Sequence, residues 1–167
     1  MSPAFFIGGI MFRPSINGYS ISALKTMDGQ DGLVIRCNLL KNGKKVGECF
    51  DGGYGGEMEF TGQGINGICW SDLDDELNGW GAWHGEDFNW DIGLLVEDLI
   101  NMGEDYKYYK QSVKAGFNTT ATYELPDGNT YLGRAKYEPS IFRSRIERMG
   151  AKNIRLYSSE SDFTLTV

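Results

Sequence analysis

The chain has 167 residues, a formal net charge of −7 and 23 glycines. A hydrophobic fraction of 41% and a charged fraction of 23% are ordinary for a globular protein and exclude a disordered chain. No apolar run approaches the roughly 20 residues that a membrane-spanning helix needs, and the length predicts one domain over residues 1–167 with one hydrophobic core.

The cysteines and the first residues predict a soluble cytoplasmic protein. Cys37, Cys49 and Cys69 are odd in number and have no C-x-x-C spacing, which indicates buried free thiols in a reducing compartment. The apolar residues 4–12 lack a basic leader and are interrupted by Gly8 and Gly9, so we expect no secretory signal.

The first part of the chain predicts a meander of antiparallel strands. Alternating and apolar runs indicate strands at 19–27, 33–40 and 45–50. Asn42-Gly43 is the strongest short hairpin signal, because both turn positions need positive φ. The glycine-rich residues 51–56 interrupt the sheet, and residues 57–61 resume it.

The middle of the chain predicts an irregular segment followed by a helix. Residues 62–86 are rich in Gly, Asn and Asp, and we interpret them as a long irregular connection of the kind that is often functional. From about Asp87 a helical stripe begins, with a stop at Gly116 and a kink or break at Gly103. The stripe consists of Ile92, Leu95, Val96, Leu99 and Ile100.

The last third predicts a second hairpin, a short helix and further strands. The hairpin pairs residues 118–125 with 130–137, and the helix runs from Pro139 to a cap at Gly150. Strands are expected at 153–157 and 163–167. The order predicts an α+β fold: an antiparallel sheet of hairpins with one long amphipathic helix and one short C-terminal helix.

Charge is strongly segregated along the chain. Residues 51–106 hold fourteen acidic residues and no Lys or Arg, whereas the flanking parts carry balances of +3 and +4. All four tryptophans and the only histidine, His84, also lie in this acidic stretch. Its carboxylates must stay solvated or meet cations of the chain itself or of a partner. Because tryptophan is enriched at binding hot spots, we predict a partner-binding set of Asp72, Asp74, Asp75, Glu76, Trp80, Trp83, Glu86, Asp87 and Asp91.

Catalytic and cofactor motifs are incomplete. One His and three scattered Cys cannot form the usual zinc sites, and the match of residues 74–79 to a calcium loop fails at its twelfth position, Gly85. The glycines of residues 52–56 lack the Lys-Ser/Thr of a phosphate-binding loop. We therefore expect no metal, cofactor or catalytic residue; the alternative is a small-ligand or carbohydrate-processing enzyme with paired carboxylates near Trp80 and Trp83.

Direct nucleic-acid binding is not expected. The basic residues near the C-terminus form a modest patch in a chain of pI near 4.7, which favours a solvated helix face. They are Arg143, Arg145, Arg148, Lys152 and Arg155.

Several patterns carry a resemblance to known proteins. Lys-Asn-Gly-Lys-Lys-Val-Gly at 41–47, Asp-Gly-Gly-Tyr-Gly-Gly at 51–56 and Val-Glu-Asp-Leu at 96–99, followed by the hairpin and terminal helix-strand, resemble small accessory proteins of bacteriophages and other mobile elements. The resemblance covers the chain from about residue 19.

The resemblance implies a non-enzymatic inhibitor of a host nucleic-acid-handling complex, of anti-CRISPR or anti-restriction type, in the host cytoplasm. The carboxylates of residues 72–98 would imitate DNA phosphates, with Trp80 and Trp83 as apolar anchors. The partner would be a host protein or ribonucleoprotein with a basic surface. Self-association, acidic middle against basic end, is a further possibility.

Overall fold

The computed structural model describes residues 11–80 and 90–167. The chain divides into two compact units, Met1–Ile100 with Leu165–Val167 and Asn101–Thr164. The described residues form three helices and two sheets whose strand pairs are mostly antiparallel. The predicted α+β class is confirmed, as are the one long helix and the short later helix. The strands form two sheets and not a single one.

Six strands form the first sheet, in the order β5-β4-β3-β2-β1-β9. Strands β2, β3 and β4 form the predicted meander, in which Tyr19 lies opposite Lys41 and Leu39 lies opposite Gly47. The strand bounds are β1 Ser15–Ile16, β2 Tyr19–Asp28, β3 Leu33–Lys41, β4 Lys44–Asp51, β5 Glu59–Gly62 and β9 Thr164–Leu165.

Two Asn-Gly turns shape this sheet. Asn42 and Gly43 have φ of 50° and 82°, which confirms the hairpin that the sequence predicts. Asn17 and Gly18 have φ of 49° and 83° and connect β1 to β2 in the same way. The sequence analysis did not predict β1, although the same dipeptide marks its turn.

Helix α1, Trp70–Asn78, lies where an irregular connection was expected, and that prediction is wrong over these nine residues. Leu73 and Leu77 are both fully buried, one helical turn apart, and Trp70 precedes Leu73 by three residues. This spacing forms a short apolar stripe that buries the helix against the first unit, where α1 contacts β5. Burial of the stripe outweighs the weak helix propensity of the Asp and Asn residues.

Helix α2, Ile92–Lys114, is continuous through Gly103, so the expectation of a break into two helices at this residue is wrong. The side chain of Asp91 caps it, because the Leu94 N–H donates to Asp91 Oδ1 at 2.8 Å. The predicted stripe is buried at Ile92, Leu95, Val96 and Leu99. Gly116, at φ +88°, lies just past the end of the helix, as predicted.

A three-stranded sheet in the order β7-β6-β8 lies in the second unit, with β6 Thr119–Glu124, β7 Thr130–Ala135 and β8 Lys152–Tyr157. Helix α3, Pro139–Arg148, packs against it through Phe142 and Ile146, which cluster with Ala121 and Ala135. Gly150, at φ +82°, ends α3 as predicted.

A buried carboxylate links α2 to this sheet within the second unit. Asp105 is 6% exposed and accepts hydrogen bonds from Thr122 Oγ1 at 2.9 Å, Arg155 Nε at 3.0 Å and the Tyr157 hydroxyl at 2.9 Å. The Tyr157 ring stacks on the buried Phe163 with ring centroids 4.0 Å apart. A charge removed from water is thus compensated by three donors, one of them cationic.

Within the described residues, none of the helices has both the length and the apolar character that crossing a membrane requires.

Candidate protein-interaction surface

The two compact units differ strongly in formal charge. By sequence, the first unit carries six basic and fifteen acidic residues, whereas the second carries ten basic and eight acidic. The first unit therefore has a formal charge of −9 and the second +2. A surface that attracts a basic partner is expected on the first unit.

Two predicted carboxylates lie on the outward face of α1. Asp72 and Asp75 are exposed and three residues apart, so they are neighbours on one helix face. Neither side chain makes a hydrogen bond or an ion pair with any residue that the structure describes. Asp72 also lies in the first turn, where the positive end of the helix dipole stabilises it.

Glu76, in contrast, is occupied by the chain's own residues. Its Oε2 accepts a hydrogen bond from the Tyr19 hydroxyl at 2.6 Å, and its Oε1 lies 2.5 Å from Lys41 Nζ. Partial burial alone would raise the pKa of Glu76, but the donors Lys41 and Tyr19 outweigh it and lower that pKa. Lys41 Nζ also lies 4.1 Å from the Tyr19 ring centroid. The carboxylate is therefore held ionised inside the first unit.

Trp80 belongs to the same internal cluster. Its ring centroid is 5.7 Å from that of Tyr19 and 5.4 Å from that of Trp90 in an edge-on arrangement. Tyr19 and Trp90 are buried and Trp80 is half-buried. Most of its aromatic area stabilises the first unit, which is a packing role.

Of the other predicted site residues, some make local contacts within or at the start of a helix, and the rest lie outside the described residues. Asp74 accepts a hydrogen bond from Asn78 Nδ2 at 3.4 Å along α1, and Asp91 caps α2. Trp83, Glu86 and Asp87, together with His84, lie outside the described residues. The structure thus brings Glu76 and Trp80 together, around Tyr19 and Lys41, and leaves Asp72 and Asp75 facing solvent.

Other exposed groups of the first unit were not in the predicted partner-binding set, although three of them belong to the acidic stretch. Glu57, Glu59 and Glu97 are exposed and make no ion pair with the described residues. The Trp70 side chain, at the start of α1, is 43% exposed. The spacing of Trp70, Leu73 and Leu77 was the available signal for this helix. The same spacing indicates that Asp72 and Asp75 lie on the opposite, outward face.

An open groove of about 350 Å³ lies on the outer face of β3, β4 and β5. Within this groove Glu48 forms ion pairs with Arg36 at 3.4 Å and with Lys45 at 3.2 Å. The hydrogen bonds of Lys45 and Gln63 lower the pKa of Glu48, as does the charge of Arg36. Glu59, Thr61 and Gln63 also line the groove. The charged and polar side chains of this lining suit polar recognition.

Among the described residues no three His, Cys, Asp or Glu side chains cluster as a metal site would require. Residues 74–78, the first part of the calcium-loop match, are helical. They therefore do not form the loop that such a site needs.

Fold and surface together define an α+β protein whose first unit is strongly acidic and carries every tryptophan. Comparisons with protein-family models, with curated proteins and with solved structures find no significant match. Function is therefore inferred from the geometry and charge of the surface itself.

Proposed function

We propose that this chain is a non-enzymatic, protein-binding inhibitor of a nucleic-acid-handling complex, and that its acidic first unit binds a basic surface of that complex. The observation that carries the proposal is the set of exposed carboxylates that are not neutralised by the described part of the chain. Asp72 and Asp75 are its centre, on α1, and the surrounding unit has a formal charge of −9.

Such a surface competes with nucleic acid through charge. Duplex DNA carries one negative charge per about 1.7 Å of helix axis, and its protein sites are lined with Lys and Arg. A partner that has evolved to bind phosphates attracts carboxylates by the same long-range field. Binding by this mechanism weakens as ionic strength rises.

The internal contacts refine which residues take part. Glu76, Asp91 and Trp80 serve the fold, so we assign the partner contact to Asp72 and Asp75, with Glu57 and Glu59 as further carboxylates. Trp70 replaces Trp80 as the described apolar anchor, because 43% of it is exposed. Trp83, Glu86 and Asp87 keep their predicted partner-binding role. In this proposal the protein acts in the cytoplasm of a host cell, as a mobile-element accessory protein would.

The test compares two double variants with equal changes of charge. Asp72→Asn/Asp75→Asn removes two charges from α1, and Glu104→Gln/Glu138→Gln removes two exposed charges from the second unit. Tagged wild-type protein and both variants are used as baits in nuclease-treated bacterial lysate at low and high salt. A nucleic-acid enzyme should be retained by the wild type and by the second variant, and lost from the first.

Competition then separates DNA mimicry from general charge attraction. An added DNA duplex should displace the retained partner from the wild-type protein, and the wild type should inhibit the partner's nucleic-acid binding. Retention that is equal for both variants, or a partner that the duplex does not displace, would refute the proposal. Capture of a second copy of the chain would support self-association instead.

The enzyme alternative gains little from the described residues. Glu76 is the carboxylate that shares a cluster with Trp80, and its ion pair with Lys41 keeps it deprotonated. A general acid in paired-carboxylate chemistry needs a raised pKa, which is the opposite direction.

A further inference from the structure

Two of the three cysteines face each other across the first sheet. Cys37 on β3 and Cys49 on β4 are register partners in an antiparallel pair, so their side chains point to the same side of the sheet. Cys37 is 1% exposed and Cys49 is fully buried, and both are free thiols. Cys69 is also free, but it is exposed, and it precedes α1.

Directly opposed residues of antiparallel strands suit a disulfide bond. Their Cα atoms are about 4.5 or about 5.5 Å apart, depending on the hydrogen-bonding position. Disulfides tolerate Cα separations of about 4.4–6.8 Å. The register of this sheet therefore places the Cα atoms of the two cysteines within the range that a disulfide tolerates.

We propose that Cys37 and Cys49 form an intramolecular disulfide when the protein meets a low-molecular-weight disulfide, of which oxidised glutathione is an example. In the first step one protein thiolate attacks the oxidant, forms a mixed disulfide and releases one glutathione thiolate. In the second step the other protein thiol, on losing its proton, attacks the cysteine sulfur of the mixed disulfide, so that the bond to glutathione breaks and the second glutathione leaves as a thiolate. Two protein thiols are oxidised, one oxidant disulfide is reduced to two thiols, and the two protons end on the released thiolates.

The two thiols are hydrogen-bonded to each other, and this contact lowers the pKa of the Cys37 thiol against the effect of burial. The contact stabilises a thiolate within the pair, and the register of the two strands places the second thiol within reach of the mixed disulfide. Because both are buried, the first step requires local opening of the sheet, so oxidation is slower than modification of the exposed Cys69.

The bond would fasten β3 to β4 across the hairpin. It closes a loop of 13 residues, from Cys37 to Cys49. For loops of this size, chain-entropy arguments give stabilisation large enough to raise Tm by roughly 5 to 10 °C. Oxidation would thus lock the sheet next to which α1 carries Asp72 and Asp75.

The experiment uses the full chain with the Cys69→Ser substitution, which leaves only the two facing thiols. The protein is equilibrated with oxidised glutathione, quenched, unfolded and alkylated, and its intact mass and thermal unfolding are measured. We expect loss of both alkylatable thiols, a mass lower by two hydrogens, no added glutathione, and a higher Tm that returns to its starting value on reduction.

Controls make each outcome decisive. Cys37→Ser/Cys69→Ser keeps Cys49 alone, and Cys49→Ser/Cys69→Ser keeps Cys37 alone, so that neither can form the internal bond. The proposal predicts that each of these variants takes up at most one glutathione, and that neither loses two hydrogens nor shows the rise in Tm. Persistence of two free thiols in Cys69→Ser, or accumulation of only a mixed disulfide, would overturn it. Peptide mapping of the oxidised wild type gives a second readout, which must show a 37–49 link and not one to Cys69.

Discussion

Removal of the Asp105 carboxylate should strongly destabilise the second unit. In Asp105→Ala the hydroxyls of Thr122 and Tyr157 lose their acceptor. Both residues are buried, at 6% and 5% exposure. A buried donor without a partner costs about 1–3 kcal/mol. The Arg155 side chain is 44% exposed and can be hydrated again, so the loss of its ion pair with Asp105 adds little to the destabilisation.

The expected loss in the free energy of unfolding is therefore about 3–5 kcal/mol, within the range for two buried donors that are left without an acceptor. Asp105→Asn keeps the volume and one acceptor oxygen, and its loss should be smaller, about 2 kcal/mol. Urea titration followed by far-ultraviolet circular dichroism measures both. Tryptophan fluorescence is unsuitable, because all four tryptophans belong to the first unit.

Glu104→Gln is the matched control, since Glu104 is an exposed neighbour on the same helix, and it should change stability by less than about 0.5 kcal/mol. A double variant with Tyr157→Phe should lose less than the sum of the two single losses, because both remove the same hydrogen bond. An Asp105→Ala loss below about 1 kcal/mol, or additive losses, would refute the reasoning.

Further predictions concern pH and packing. The pKa of Glu76 is lowered in the folded protein, so its ionised carboxylate contributes to the free energy of unfolding above about pH 4.5, and this contribution is lost as pH falls through the folded-state pKa. Glu76→Gln should therefore reduce the dependence of the free energy of unfolding on acid pH, measured by urea titrations. An unchanged pH dependence would exclude the ion pair with Lys41 as its source. Burial, followed by the hydrogen bond to Glu160, raises the pKa of Tyr106 to about 12, so the stabilisation from its protonated hydroxyl is complete below pH 10 and is lost as pH rises toward 12. Ultraviolet titration of Tyr106→Phe should therefore show one late-ionising tyrosine fewer than the wild type, because other tyrosines also have raised pKa values and keep ionising late. A Cβ at Gly62 would lie 1.9 Å from the Ile68 carbonyl oxygen, so Gly62→Ala should cost about 3 kcal/mol while Gly56→Ala, with open space around it, should be nearly neutral by the same measurement.

Much of the fold was predictable because its signals are local. The Asn42-Gly43 turn, the alternation of the strands and the apolar stripe of α2 each lie within one short window of sequence. Helix α1 was missed because its stripe has few apolar members among many acidic ones, and Asp and Asn favour turns and caps. Strand β1 has only two residues, too few to show a period.

The candidate site was less predictable because its contacts are distant in sequence. Lys41 and Glu76 are 35 residues apart, and Tyr19 and Glu76 are 57 apart. No periodicity connects such residues, so the sequence cannot distinguish an internally neutralised Glu76 from the solvent-facing Asp75 beside it. The sequence predicts the total charge of the acidic segment. Only the fold shows which of its carboxylates have partners within the chain and which face solvent.

The position of residues 165–167 has a consequence for synthesis on the ribosome. They belong to the first unit, where the Asn17 N–H donates to the Leu165 carbonyl at 2.9 Å and the Val167 N–H donates to Asn17 Oδ1 at 2.9 Å. Because the chain emerges from its amino end, these bonds cannot form until all of residues 101–164 have been translated. During the translation of the second unit, the edge of β1 that pairs with residues 165–167 in the folded protein therefore remains unpaired. Slow translation of residues 101–164 should accordingly lengthen the exposure of that edge to chaperones and proteases.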